Sequence, residues 1–142
     1  MSGYEFQVTI DSANPHAQAQ WWADALGWQV EPSDSEFIRR MVAAGHASAE
    51  DTLEWNGTLV WRAGAAIRDP DQPGRPRVLF QLVPEGKSVK NRVHLDIRVG
   101  EQREEVAERL IAAGATLMHR GQQGPYEWLT LSDPEGNEFC VT

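Results

Sequence analysis

Phe6-Gln7-Val8-Thr9-Ile10 alternates apolar and polar residues, and Val93-His94-Leu95-Asp96-Ile97 does the same 87 positions later. Alternation of this kind marks a strand with one face buried and the other open. The segments after the two strands repeat as well. Asn14-Pro15 is a helix start, with Asn as cap and Pro at the first helical position, and Ala17, Trp21, Trp22, Ala25 and Leu26 recur at helical spacing until Gly27 closes the helix. After the second strand Val106, Leu110 and Ala113, flanked by Ala107 and Ile111, form a matching stripe that ends at Gly114. Gln7 to His94 and Gly27 to Gly114 are both 87 residues apart, so strand and helix repeat in register.

Each copy continues with strand-like segments: 58–66 and 77–83 in the first, then 116–119, 126–131 and 138–141 in the second. Asp69-Pro70-Asp71-Gln72-Pro73-Gly74 and Asp133-Pro134-Glu135-Gly136-Asn137 are the turns between them. The reading is an α+β chain of two tandem β-α-β-β-β modules, residues 1–86 and 87–142. The first module is longer and holds the extra segment 33–55, in which Phe37, Ile38, Met41 and Val42 predict a short helix near 35–45. That helix covers either a pocket edge or simply the sheet.

Composition bounds the rest. A chain of 142 residues buries enough surface to fold as one domain without disulfides, and its single cysteine, Cys140, forms no internal bridge. The net charge of −8 disfavours nucleic acid, whose binding needs clustered Lys and Arg. No run approaches the roughly 20 apolar residues of a membrane span. The start, Met1 to Gln7, has neither a basic nor an apolar stretch, so no signal peptide is expected and a cytoplasmic protein is the plain reading. Six tryptophans supply aromatic area for cores, pockets or interfaces.

The order of these features resembles the vicinal oxygen chelate superfamily, which includes glyoxalases, bleomycin- and fosfomycin-resistance proteins and extradiol dioxygenases, and is most similar to its small glyoxalase-like members. The resemblance rests on the strand and helix ending at Gly27, on Lys90-Asn91-Arg92-Val93-His94-Leu95-Asp96-Ile97, on Ala112-Ala113-Gly114-Ala115, and on Asp133-Pro134-Glu135-Gly136-Asn137-Glu138-Phe139-Cys140. It implies curved mixed sheets around a shared concave cavity. It also implies, in enzymatic members, a divalent metal held by first and last strands. Carried over, those positions fall on Gln7, Gln81, His94 and Cys140, with Glu138 two residues before Cys140. Two neutral amides make a poor metal set, so no cofactor is expected. The alternative is a divalent metal held by His94, Glu138 and Cys140 with Gln7 or Gln81.

Alternation turns Phe6, Val8, Ile10, Val93, Leu95 and Ile97 under the helices, and Gln7, Thr9, His94 and Asp96 toward the cavity. Trp61, Leu79, Val83, Tyr126 and Trp128 are either cavity walls or ordinary core. His94 and Asp96 project together. They either move a proton beside a carbonyl, with Glu138 as a further base, or only satisfy each other's surroundings, Asp96 pairing with Arg92 or Arg98. Cys140 is either a nucleophile beside His94 or a small buried hydrophobe.

Other motifs carry less. Gly86-Lys87-Ser88 matches the end of a phosphate loop, but the motif's first Gly falls on Gln81 and a strand follows. Asn56-Gly57-Thr58 matches a glycosylation acceptor, which has no meaning without secretion. Lys87, Lys90 and Arg92 form a basic cluster, either a solvated loop or a contact for an anionic ligand, and His16, His46 and His119 are expected at the surface. The function expected is binding of a small, partly aromatic molecule without a metal, in a homodimer. The alternative is a lyase or isomerase on a carbonyl compound through His94 and Glu138.

Overall fold

The computed structural model describes residues 3–142; Met1 and Ser2, the opening of the stretch expected to carry no signal peptide, lie outside the described residues. The chain divides into two compact units, Met1–Glu85 and Gly86–Thr142. It is an α+β protein in which both units carry an open, curved, mixed sheet with the same strand order.

In the first unit β1 (Val8–Ser12) leads into α1 (Pro15–Leu26), then β2 (Gln29–Val30), α2 (Ser35–Ala43), β3 (Thr52–Trp55), β4 (Thr58–Trp61), β5 (Gly64–Arg68) and β6 (Val78–Leu82). The main sheet runs β1-β6-β5-β2, with β1 parallel to β6 and the other pairs antiparallel. Helix α1 starts where Asn14 accepts a hydrogen bond from the Ala17 N–H and stops at Gly27, whose φ of 68° only glycine adopts cheaply. Its buried face, Ala19, Trp22 and Ala23, lies on β5 and β6, where Ile67 and Phe80 are also fully buried.

The reading of 58–66 as one strand is corrected. It breaks at Arg62-Ala63, and β4 pairs instead with β3 in a separate two-stranded ribbon. Two contacts make that corner. The Arg62 guanidinium donates to the Glu50 and Thr52 carbonyls, and a Cβ on Gly64 would sit 2.9 Å from the Phe80 carbonyl oxygen, so β5 starts where only glycine fits. Asn56 and Gly57, with φ of 51° and 79°, turn the ribbon. Helix α2 rests on β4 through buried Ile38, after a cap in which Asp34 accepts from the Phe37 N–H.

In the second unit β7 (Asp96–Ile97), α3 (Arg103–Ala112), β8 (Thr116–Gln123), β9 (Tyr126–Ser132) and β10 (Glu138–Val141) form a sheet in the order β7-β10-β9-β8. First strand, last strand, third, second is the order of both sheets. Leu110, Leu129, Leu131, Phe139 and Val141 make the core under α3. The β9–β10 turn is held by the buried Asp133 carboxylate, which accepts from the Glu135 and Asn137 N–H groups.

The placement of Phe6 and Val93 under the helices is also corrected: they are 71% and 81% exposed. Both precede the pairing of their strands, which begins at Val8 with Val78 and, in the second unit, with the Cys140 N–H donating to the Leu95 carbonyl. The alternation holds from Val8 and Leu95 onward, with Val8, Ile10, Leu95 and Ile97 half-buried and Thr9 and Asp96 exposed. No helix among the described residues is long and apolar enough to cross a membrane.

Candidate functional site

The second unit contains a cavity of about 350 Å³ whose wall is one face of its sheet. Asp96 on β7 pairs with Cys140 on β10, Cys140 with Thr130 on β9, and Thr130 with His119 on β8. Directly paired residues project to the same side. One row of side chains therefore crosses all four strands, and all four line the cavity. Residues two positions away share that face, which adds His94, Glu138, Thr142 and Trp128 to the lining.

His94 Nδ1 and Asp96 Oδ1 are 3.0 Å apart, so the carboxylate orients the ring. With Asp96 as acceptor, the neutral imidazole carries its proton on Nδ1 and a lone pair on Nε2. Asp96 bonds to His94, not to Arg92 or Arg98. Cys140 is half-buried, its Sγ 3.4 Å from Thr130 Oγ1. The ligand atoms of His94, Asp96 and Cys140 all lie within 4.8 Å of one another.

Glu138 lines the same cavity, but its carboxylate is already engaged. One oxygen accepts from the Asn91 backbone N–H at 3.0 Å and the other from Lys87 Nζ at 3.1 Å. The Asn91 N–H above all, helped by the Lys87 ammonium and opposed by burial, holds this carboxyl down at about 2. A carboxylate this acidic is a weak base near neutral pH. Its partners Lys87 and Asn91 tie their loop, whose Lys87, Lys90 and Arg92 were expected as a solvated stretch or an anion contact, to the start of β10.

The first unit places its counterparts differently. Thr9 pairs with Leu79, and Leu79 with Ala66, so the row equivalent to Asp96–Cys140–Thr130 bears no ionisable group. Gln81 pairs with Asp11, two residues beyond the position that matches Cys140. The Gln7 amide oxygen accepts from Arg77 at 3.0 Å and its NH₂ donates to Thr9 at 3.2 Å, while Arg77 also grips Glu31. Gln7 and Arg77 line an open groove of about 980 Å³ together with Tyr4, Phe6 and Arg68. Trp61 lies in the ribbon, where its carbonyl accepts from His16 Nε2, and Tyr126 is 74% exposed outside the cavity.

One histidine departs from expectation, and another, His119, is exposed as expected but also lines the cavity. His16 is buried, at 8% exposure, rather than at the surface. His119 joins the cavity because β8 carries a bulge: Leu117 pairs with Leu131, Met118 is skipped, and His119 meets Thr130. Regular alternation would have put Met118 there. Nothing in the sequence of β8 marks the extra residue. Thr130 was legible in principle, as it shares the parity of Trp128.

Residues 7–142 match the family described as glyoxalase-like domain. No curated protein matches the chain. Among solved structures it is similar to the fosfomycin resistance protein FosX from Mesorhizobium loti, with a TM-score of 0.63, 9% identity, and coverage of 99% of this chain and 91% of that one. A glyoxalase/bleomycin resistance protein/dioxygenase family enzyme from Burkholderia phytofirmans gives 0.59 and 18%, covering 95% and 94%. A point mutant of FosX from Listeria monocytogenes, complexed with Mn(II) and 1S,2S-dihydroxypropylphosphonic acid, gives 0.64 and 9%, covering 99% and 90%. At these identities the likeness is one of fold.

Proposed function

Because the chain belongs to the glyoxalase-like domain family, within the vicinal oxygen chelate superfamily, we propose that it sequesters a small, partly aromatic molecule in the cavity of its second unit. The observation that carries this reading is the makeup of that wall: the Trp128 indole as an apolar face, with His94, Asp96, Thr130 and Lys90 converging as polar groups. A cavity of about 350 Å³ is at the small end of the ~300–1,000 Å³ typical of ligand sites. The occupant is thus a molecule of one or two rings. A single free thiol suits a reducing compartment, the cytoplasm.

An oxygen-preferring divalent ion, such as the manganese bound by the Listeria neighbour, does not fit the four positions carried over from the superfamily. Gln7 and Gln81 bring neutral amides, the Gln7 oxygen is taken by Arg77, and Cys140 brings sulfur where such an ion wants carboxylate. No step of the function is routed through it.

The His94–Asp96 hydrogen bond favours a second reading, proton transfer next to the carbonyl of a bound compound. His94 is then the base and Asp96 the group that orients it. Glu138, engaged by Asn91 and Lys87, anchors the loop in this scheme. Val89 and Val93, 76% and 81% exposed, support assembly as a homodimer.

Calorimetric titration of the chain with phenols and aromatic aldehydes, beside product detection by NMR, tests both readings. Sequestration predicts saturable one-to-one binding of an aromatic probe, weakened about tenfold or more by Trp128→Ala and only a few fold by His94→Ala. Turnover abolished by His94→Ala establishes the second reading instead. Binding indifferent to Trp128→Ala removes the cavity from the account.

A further inference from the structure

We propose that Cys140 is a nucleophile, and that the second unit captures an aryl-substituted α,β-unsaturated ketone by adding this thiol across its carbon–carbon double bond. Covalent chemistry by a thiol uses three groups: the sulfur, a base that takes its proton, and a third group that orients the base. An imidazole nitrogen of His94, a carboxylate oxygen of Asp96 and the Cys140 sulfur stand within 4.8 Å of one another. Asp96 bonds His94 Nδ1 at 3.0 Å, which leaves the lone pair of the neutral ring on Nε2. A small shift of the His94 ring, exposed on the cavity wall, brings it into hydrogen-bond reach of the sulfur, and contacts of this kind commonly tighten only with substrate bound. The backbone beneath is already fixed. Asp96 and Cys140 are paired in the β7–β10 ladder, and the Cys140 N–H bond to the Leu95 carbonyl holds the residue between His94 and Asp96.

Sulfur at this position, which unfits the wall for an oxygen-preferring ion, equips it for addition. The thiol is half-buried and lines the same cavity as the Trp128 indole, so an aryl group on the indole and a conjugated arm at the sulfur share one space. Thr130 Oγ1, 3.4 Å from Sγ, donates to the sulfur once the thiol proton has gone. In the step itself His94 takes the S–H proton and a sulfur lone pair forms a C–S bond at the β-carbon. The π pair shifts toward the carbonyl oxygen as an enolate, and His94 returns the proton at the α-carbon. The S–H bond and the C=C π bond break, C–S and C–H bonds form, and no oxidant or further reactant is consumed. This inference rests on the sequestering reading, to which it adds the class of molecule held and the bond that holds it.

The test is incubation of the full-length, reduced chain with benzylideneacetone, followed by loss of the enone absorbance and by mass spectrometry with peptide mapping. The expected result is one adduct per chain, on Cys140. Its rate saturates as the probe is raised and exceeds that of N-acetylcysteine about tenfold or more. Cys140→Ser forms no adduct, and His94→Gln lowers the limiting rate about tenfold or more. Asp96→Asn lowers the limiting rate and leaves the half-saturating concentration unchanged, as a residue that only positions the base should. Circular dichroism verifies each variant, and exposed Asp96→Asn carries the test should Cys140→Ser not fold. No adduct on the folded wild type overturns the inference. So does an adduct mapped to another residue, a rate no faster than that of N-acetylcysteine, or one unchanged in His94→Gln. Calorimetry with 4-phenyl-2-butanone, the saturated ketone that cannot add the thiol, reads the sequestering function separately. Saturable binding of that ketone without adduct formation from the enone removes the addition and leaves the sequestering. Absence of binding, with an enone rate that never saturates, removes both.

Discussion

With one oxygen of Glu138 accepting from the Asn91 N–H and the other from the Lys87 ammonium, the carboxyl is lowered from 4.5 to about 2, and stability must follow pH. The unfolded chain takes up this proton near 4.5 while the folded chain resists until about 2. The contribution is therefore complete above the unfolded value and drains away as pH falls through that window. Glu138→Gln is expected to flatten this acid limb. Denaturant midpoints at pH 7 and near pH 3 should differ less in the variant than in the wild type, and an equal loss in both would remove the anchor from the explanation. The sequence showed Glu138 facing the cavity. It could not show the backbone N–H that occupies it, because Asn91 lies 47 positions away in a loop without periodicity.

The pairing of β8 with β9 sets what the cavity wall presents. Gly121 is opposite Trp128, and a Cβ built there would lie 2.1 Å from indole Cε2 and 2.3 Å from Cζ2 and Nε1. The indole covers the glycine, as aromatic residues do across from gaps in a sheet. Gly121→Ala forces the ring away, with an expected cost of about 1–3 kcal/mol and loss of aromatic-probe affinity. A thermal melt and a calorimetric titration check both; unchanged affinity would mean Trp128 is not the ligand's platform. At this scale legibility was uneven. The strand and helix repeat was readable because alternation and caps are local. Asn56-Gly57 was readable too, as a hairpin turn, and its match to a glycosylation acceptor obscured it. The bulge at Met118 was not, since it exists only relative to Thr130 on the neighbouring strand.

Across the whole molecule the duplicated architecture was legible from the spacing of 87 residues, and the family assignment agrees with it. The division of labour was not. Carrying ligand positions onto both modules put Gln7 and Gln81 beside His94 and Cys140, whereas ladder registers put Leu79 and Ala66 where the second unit has Cys140 and Thr130. Assembly belongs to this scale as well. Val93→Asp is expected to convert a homodimer to monomer in sedimentation equilibrium with circular dichroism unchanged, since Val93 makes no core. A wild type that sediments as a monomer would remove the proposed homodimer, and a variant that still dimerises would place the interface elsewhere.

The row Asp96–Cys140–Thr130–His119 draws one residue from each of four strands, and its two central members lie between core residues, Cys140 between Phe139 and Val141 and Thr130 between Leu129 and Leu131. Such interleaving separates inheritance of the scaffold from inheritance of its chemistry. Either of these two can be exchanged while the hydrophobic side of its strand stays as it was. The equivalent row in the first unit, Thr9, Leu79 and Ala66, shows that freedom: the same strand order there carries no ionisable group in the row. For protein engineers the silent copy is the natural place to graft a second, independently chosen row.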